Sequence, residues 1–163
     1  MADITNGLDR YDRAIVNALQ QNGRYTVQEL ADRIGLSTSP TWRRLKALEQ
    51  RGVIREYVAR VDASKLGYND TVFAHVTLRK HNREEIADFE KMILNRPEVL
   101  DFFSMTGDAD YLMRIVVRST QEYERFLKEA VFTSPAVQQI KSNFSLREIK
   151  STVAIPVVEP DEP

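Results

Sequence analysis

Two adjacent arginines, Arg43 and Arg44, share a short stretch with Ser39, Trp42 and Lys46, a set of side chains suited to gripping a nucleic-acid duplex. A guanidinium offers a planar fork of donors that matches the acceptor pair on the major-groove edge of guanine. Hydroxyls can touch other base edges, and either cation can neutralise a phosphate. The charge around the set is lopsided. Between Ser37 and Arg60 five arginines and Lys46 stand against only Glu49 and Glu56, a net of +4 inside a chain of formal net charge −1. Phosphate neutralisation supplies much of the sequence-independent affinity for DNA, so this local patch carries more weight than the overall balance. The plainer reading is a helix with one solvated basic face.

Other chemistry is poorly served. A catalytic reading recruits Asp108, Asp110 and Tyr111 with His75 as acid–base groups, but the chain has no nucleophile motif, phosphate loop or metal-ligand spacing, and no catalytic residue is assigned. His75 and His81 sit on or beside a predicted strand without a matching ligand cluster, so no metal site is expected. The absence of cysteine removes disulfides, iron–sulfur clusters and thiol catalysis, and no cofactor is expected.

To present the basic side chains, Thr26 to Arg55 must fold as two short helices joined by a tight turn. Thr26 and Glu29 have the spacing of a reciprocal capping pair, and Leu30, Ala31 and Ile34 form a helical stripe. Gly35 then permits a left-handed exit. The second helix starts at Ser37 or at Ser39, since Pro40 is tolerated only in a first turn. On a helical wheel Thr41, Leu45 and Leu48 face the first helix, leaving Ser39, Arg43, Lys46 and Gln50 opposite, with Trp42 and Arg44 on the flanks. In a helix-turn-helix the N-terminal half of such a helix enters the major groove. Trp42 either packs on a sugar or thymine methyl or shields the helix pair. Arg55 and Arg60, in a predicted strand after Gly52, extend the patch as a wing.

The remainder changes character after Asp62. Ala63–Asn69 reads as a linker, and a strand over Thr71–Leu78 follows. Next come a helical stripe at Ile86, Phe89, Met92 and Ile93, strands over Val99–Thr106 and Tyr111–Val117, a second stripe at Tyr123, Phe126, Leu127, Ala130 and Val131, and a strand over Ile140–Ala154. Pro97 and Pro135 close the two helices. This order is the split βαβ arrangement, an antiparallel sheet with both helices on one face. An uncovered face carrying Phe73, Phe102, Met113 or Phe144 is too apolar for a monomer, so pairing with a second copy is expected.

Composition agrees with two small domains: 163 residues, 42% of them hydrophobic. No apolar run approaches the roughly eighteen residues needed to span a bilayer, and no basic-then-apolar leader precedes the first helix, so a cytoplasmic address is expected. The divisions are 1–62, a linker 63–69, a second domain 70–158 and a tail 159–163, with both ends, Met1–Gly7 and Glu159–Pro163, composed like frayed termini.

Taken in order, Leu8-Asp9-Arg10-Tyr11-Asp12, Ile15, Leu19, Arg24, Glu29-Leu30-Ala31, Gly35-Leu36-Ser37, Arg44, Leu48-Glu49, Gly52-Val53-Ile54 and Gly67 resemble the leucine-responsive/asparagine regulator (Lrp/AsnC) family. Thr106-Gly107-Asp108-Ala109-Asp110-Tyr111 is similar to that family's loop of Gly, two variable residues and Asp-Tyr, and Leu146–Pro156 resembles its closing strand. The resemblance spans nearly the whole chain. It implies an α+β protein: an N-terminal winged helix-turn-helix that reads double-stranded DNA and a C-terminal ferredoxin-like βαββαβ domain that dimerises and senses an effector. That effector is usually an amino acid. It further implies homodimers, assembled by analogy into octamers as tetramers of dimers.

Set against DNA are Ser39, Thr41, Trp42, Arg43, Arg44, Lys46 and Arg55, with Arg44 aimed at phosphate and Thr41 also lying on the inward stripe. Thr106, Gly107, Asp108, Ala109 and Asp110 carry over as the effector loop at an interface between dimers. Gly107 lets backbone donors approach a ligand carboxylate, and Asp108 or Asp110 can receive its ammonium. The same residues also suit a bare hairpin turn. Selectivity falls to apolar neighbours such as Met105 or Leu112. A stand-alone effector-binding protein would need a vestigial helix-turn-helix, against which Ser39, Arg43, Arg44 and Lys46 argue by sharing one side.

Overall fold

The computed structural model describes residues 7–79 and 82–157; residues 1–6 and 159–163 of the expected frayed ends, and His81, lie outside the described residues. The chain divides into two compact units. One runs to Arg60 and takes back the chain from Lys150; the other is Val61–Ile149. The C-terminal stretch therefore groups with the first unit by its contacts.

The first unit holds α1 (Arg10–Gln21), α2 (Val27–Ile34) and α3 (Thr38–Gln50). Two of its helices begin with reciprocal caps. Asp9 accepts from the Tyr11 and Asp12 amides while Asp12 accepts from the Asp9 amide. Thr26 and Glu29 do the same at α2. Each pair satisfies donors that a helix start leaves open. Gly35, at φ +70°, ends α2 in the left-handed region. Ser37 precedes α3 as its N-cap without a side-chain cap bond, and Pro40 falls in the first turn. Ile15, Leu30, Leu45 and Leu48 meet as the core, with Leu8, Leu19, Ile34 and Ile54 packed around it.

Beyond α3 the expected wing strand does not form: Val53–Asp62 contains no strand. An extended segment becomes a strand only when a ladder partner takes its amides and carbonyls, and no strand lies beside this one within the described chain. Arg60 instead donates to the Ser151 carbonyl at 3.0 Å and its Oγ at 3.2 Å. The Gln20 side chain brackets Ile155, donating to its carbonyl and accepting from its amide.

The linker region is more ordered than expected, with a 3-10 turn at Ala63–Leu66 capped by Asp62. The second unit then runs β1 (Asp70–Leu78), α4 (Arg83–Leu94), β2 (Val99–Ser104), β3 (Tyr111–Val117), α5 (Thr120–Phe126) continuing as a π-helical turn over Leu127–Val131, and β4 (Val137–Phe144). The sheet order is β2-β3-β1-β4 with every pair antiparallel. Alternate residues Val72, Ala74 and Val76 of β1 and Tyr111, Met113 and Ile115 of β3 join Phe89 and Ile93 of α4 and Tyr123 and Phe126 of α5 in one core. Because these strand residues share one pleat face, both helices cover that face.

Three of the four apolar residues expected on the open face belong to the covered one. Met113 is fully buried. The Phe102 ring lies 4.8 Å from that of Tyr111, and Phe144 meets Tyr123 edge-on at 5.5 Å. The period of two puts them all on the helix side. Phe73 alone of the four faces outward, 38% exposed. Opposite it in register are Arg114 and Asn143, and Phe103 lies opposite Leu112, so the open face is a mixture of apolar and polar groups. Asp101 and Arg114 form an ion pair across it.

The last strand also differs, beginning three residues before Ile140 and ending at Phe144 rather than Ala154. Its pairing with β1 stops at Val72–Phe144, followed by one bond from the Ser145 amide to the Thr71 carbonyl, close to where β1 itself begins. With no partner left, Leu146–Pro156 forms no strand.

Among the described residues Phe89 is the largest fully buried side chain, with ring neighbours Phe102 and Tyr111. Phe89→Ala is expected to destabilise the sheet unit by about 3–5 kcal/mol. Urea unfolding followed by circular dichroism checks this, and a loss below about 1 kcal/mol contradicts the central place given to this ring.

Candidate nucleic-acid interface and effector loop

Burial along α3 divides its side chains into two sets. Thr41, Leu45 and Leu48 are 0%, 9% and 1% exposed, whereas Ser39, Trp42, Arg43, Lys46 and Gln50 are all exposed. Thr41 is thereby removed from the DNA-facing set: its hydroxyl donates to the Ser37 carbonyl at 2.9 Å and its methyl is sealed in the core. Trp42, 52% exposed, precedes Arg43 in the chain and like it stands clear of the buried stripe. An indole at this position offers a flat apolar face beside a flexible cation, a pair suited to a deoxyribose or thymine methyl and the phosphate next to it.

Arg44 has a different task from the one its charge suggested. Its guanidinium contacts Asp9 at 2.6 Å and Asp12 at 2.7 Å, and lies 5.3 Å from the Tyr11 ring centre. Both carboxylates are the cap of α1, so Arg44 ties α3 to the start of α1. A guanidinium already shared between two carboxylates is a poor ligand for phosphate. Slight desolvation works to raise the Asp9 carboxyl, but the Asp12 amide and Arg44 outweigh it and hold it below its ordinary value. The Asp12 and Asp9 bonds hold Arg44 above its own. Spacing on a helical wheel cannot show this bracket, because its acids lie about 32 residues upstream in sequence; the paired aspartates at a helix start were the available signal. Lys46 is paired with Glu49 at 2.7 Å. Arg55 is exposed on the extended segment after α3.

The loop between β2 and β3 is built on one conformational exception and one buttress. Gly107 sits at φ +112°, a backbone state that a side chain would strain. The Asp110 carboxylate accepts from the Leu78 amide at 2.7 Å, while its own amide donates to Val76 and its carbonyl accepts from Met105. Asp110 thus pins the loop to the end of β1, leaving Asp108 as the exposed carboxylate. Thr106 and Gly107 are exposed and Ala109 is half-buried.

From Leu78 the chain reaches Arg79 at once, whose amide donates to the Ala136 carbonyl. Beside it opens a groove of about 380 Å³ lined by Arg79, Phe132, Thr133, Ser134, Gln138 and Gln139. Sequence reading missed this groove, since Pro135 registers only as the stop after a helix and Thr133 and Ser134 carry no signal of their own. Among the described residues no group of three or more His, Asp or Glu is placed to hold a metal ion, and no helix is long and apolar enough to cross a membrane.

These two sites fall within segments of known type. Residues 8–55 match a winged helix-turn-helix DNA-binding model, and residues 71–155 match the Lrp/AsnC ligand binding domain. The chain belongs to the Lrp/AsnC family of DNA-binding transcriptional regulators and carries its ligand-binding domain. Among similar proteins, the Bkd operon transcriptional regulator of Pseudomonas aeruginosa is 40% identical over 150 residues, 92% of this chain and 98% of that one. The DNA-binding transcriptional activator DecR of Escherichia coli is 36% identical over 92% of this chain and 99% of its own. A transcriptional regulator from Neisseria meningitidis, solved as a complex with L-Met, superimposes with a TM-score of 0.87 at 36% identity, covering 91% of this chain and 96% of that one.

The Arg44 bracket has a signed pH dependence. A carboxyl held low in the folded state lends stability that is complete above its unfolded pKa and is lost as pH falls through the folded one. The first unit is therefore expected to weaken as pH drops below the ordinary aspartate value of 3.8. Arg44→Met flattens that loss in an acid titration followed by circular dichroism; an unchanged acid limb removes the bracket from the account.

Proposed function

We propose that this chain is a ligand-responsive regulator that reads its operator with Ser39, Trp42, Arg43 and Lys46 of α3, and that its effector is an amino acid held at the loop Thr106–Asp110. The observation that carries the reading is the division of α3, with a sealed apolar stripe on one side and a tryptophan, an arginine and a lysine exposed on the other. Arg43 is exposed and has no ion pair among the described residues, so it is available to guanine or phosphate. Arg55 contributes a phosphate contact at the patch margin.

For the effector, support comes from the Neisseria relative solved with L-Met and from the chemistry of the loop. Asp108 offers a carboxylate for an ammonium group, and the backbone at Gly107 is open to a carboxylate. The groove lined by Arg79, one residue beyond the Leu78 amide that holds Asp110, carries the hydroxyls of Thr133 and Ser134. Met105 and Leu112 are the apolar neighbours that discriminate among side chains. Two copies pair through the open sheet face around Phe73, Phe103 and Leu112, and dimers assemble further, to an octamer, so that the loop meets a neighbouring dimer. The protein works in the cytoplasm. Effector binding acts by favouring one assembly or spacing of DNA-reading units, which requires different affinities for the two states.

Titrating the full chain onto its own upstream DNA and an unrelated duplex at fixed salt, with and without a panel of amino acids, tests both halves. Preferential binding to the upstream fragment that one amino acid shifts is the expected result. Specific binding indifferent to every amino acid rejects the effector assignment alone. Arg43→Ala is expected to weaken operator binding by about 1–3 kcal/mol with the fold intact. Unchanged affinity by fluorescence anisotropy rejects the groove-facing role of this side of α3.

A further inference from the structure

One contact on α3 is not accounted for by packing. Glu49, near the end of the helix, accepts from the Lys46 ammonium on one carboxylate oxygen at 2.7 Å and from the Tyr57 hydroxyl on the other at 3.0 Å. The three groups form a chain from the exposed basic side of α3 to the extended segment that leaves the first unit. All of it is accessible: the Lys46 and Glu49 side chains are 47% and 28% exposed. An accessible pair of this kind is worth little on its own, so it discourages a lone phosphate contact yet gives way when several contacts are made together. Lys46 holds the Glu49 carboxyl below its ordinary value, and partial burial together with Glu49 pushes the Tyr57 phenol up to about 12. The bridge is therefore present in the same form, carboxylate with neutral phenol, throughout the physiological range.

We infer that Glu49 is a specificity-determining positioning residue for DNA: it occupies Lys46 in the free protein and so withholds that cation from indiscriminate phosphate binding, with Tyr57 fixing the carboxylate in place. An ammonium is a compact point charge that any phosphate satisfies equally. Left free at the edge of a groove-reading helix, it adds affinity for every sequence alike. Tied to Glu49, it leaves the pair only where the surrounding contacts on α3 are also made. Tyr57 lies three residues before Arg60, where the first unit ends. A shift of that segment withdraws the phenol from Glu49, loosens the carboxylate and releases Lys46. The position of the connecting chain and the charge presented to DNA are thereby linked through one carboxylate.

The inference rests on α3 being the DNA-reading helix, and the test separates the two claims. Full-length wild type, Glu49→Gln, Tyr57→Phe, Lys46→Ala and the Lys46→Ala/Glu49→Gln double variant are titrated by fluorescence anisotropy onto an unrelated duplex and onto the upstream fragment across a salt series. Thermal unfolding confirms that each variant is folded. Glu49→Gln is expected to bind the unrelated duplex about three- to tenfold more tightly, to steepen the slope of log K against log salt by about 0.9, and to narrow the preference for the upstream fragment. Tyr57→Phe moves all three readouts in the same direction by less. In the Lys46→Ala background Glu49→Gln leaves them unchanged. A Glu49→Gln gain that persists without Lys46 overturns the inference, since the carboxylate then acts by repelling DNA directly. So does a Glu49→Gln variant with wild-type slope and preference. Failure of wild type and Lys46→Ala to differ on any DNA overturns the reading of α3 instead.

Discussion

The burial of Thr41, Leu45 and Leu48 along one edge of α3 decides where every other side chain on that helix points. A helix of this length has little stability alone and is held by its apolar face. Here that face meets Ile15 and Leu30, contributed by the two preceding helices. Once the stripe is fixed, Trp42, Arg43 and Lys46 have no direction available but outward. The Arg44 bracket sharpens the constraint. It joins the flank of α3 to the capped start of α1 through charge, so the helix is located both by what it buries and by what it pairs with.

The second unit applies the same logic with a sheet in place of a helix. Alternation along β1 and β3 sends one set of residues into a core shared with α4 and α5 and the other set to a face with no helix over it. That face is not uniformly greasy. Phe73 stands opposite Arg114, which is paired with Asp101 on the next strand. A surface of this composition stays in water more readily than a bare apolar sheet and still offers aromatic area to another surface. The loop between β2 and β3 is held by the same sheet: Asp110 borrows a backbone donor from the end of β1, so the loop's shape follows from the strand beside it.

Local pattern made most of this architecture legible. Thr26 with Glu29, Gly35 and the stripe of α3 are all contained within a few residues, where spacing alone reports geometry. Element order in the second unit was equally readable, because its helical stripes and β-branched runs change period sharply. The parts that escaped depend on partners far away in sequence. Whether Val53–Asp62 or Leu146–Pro156 becomes a strand depends on a neighbouring ladder, and none is present in the described chain. Phe102, Met113 and Phe144 were assigned to the wrong face because composition marks a residue as apolar without saying which side of a pleat it takes; register does that. Arg44 was read as a phosphate ligand for the same reason, its acids being on another helix.

The return of the C-terminal stretch to the first unit, stapled there by Gln20 on Ile155 and Arg60 on Ser151, gives the protein two covalent crossings between its units instead of one. The segment from Lys150 onward is therefore built into the first unit through side chains that lie far from it in sequence, and its order depends on the fold of that unit rather than on its own residues.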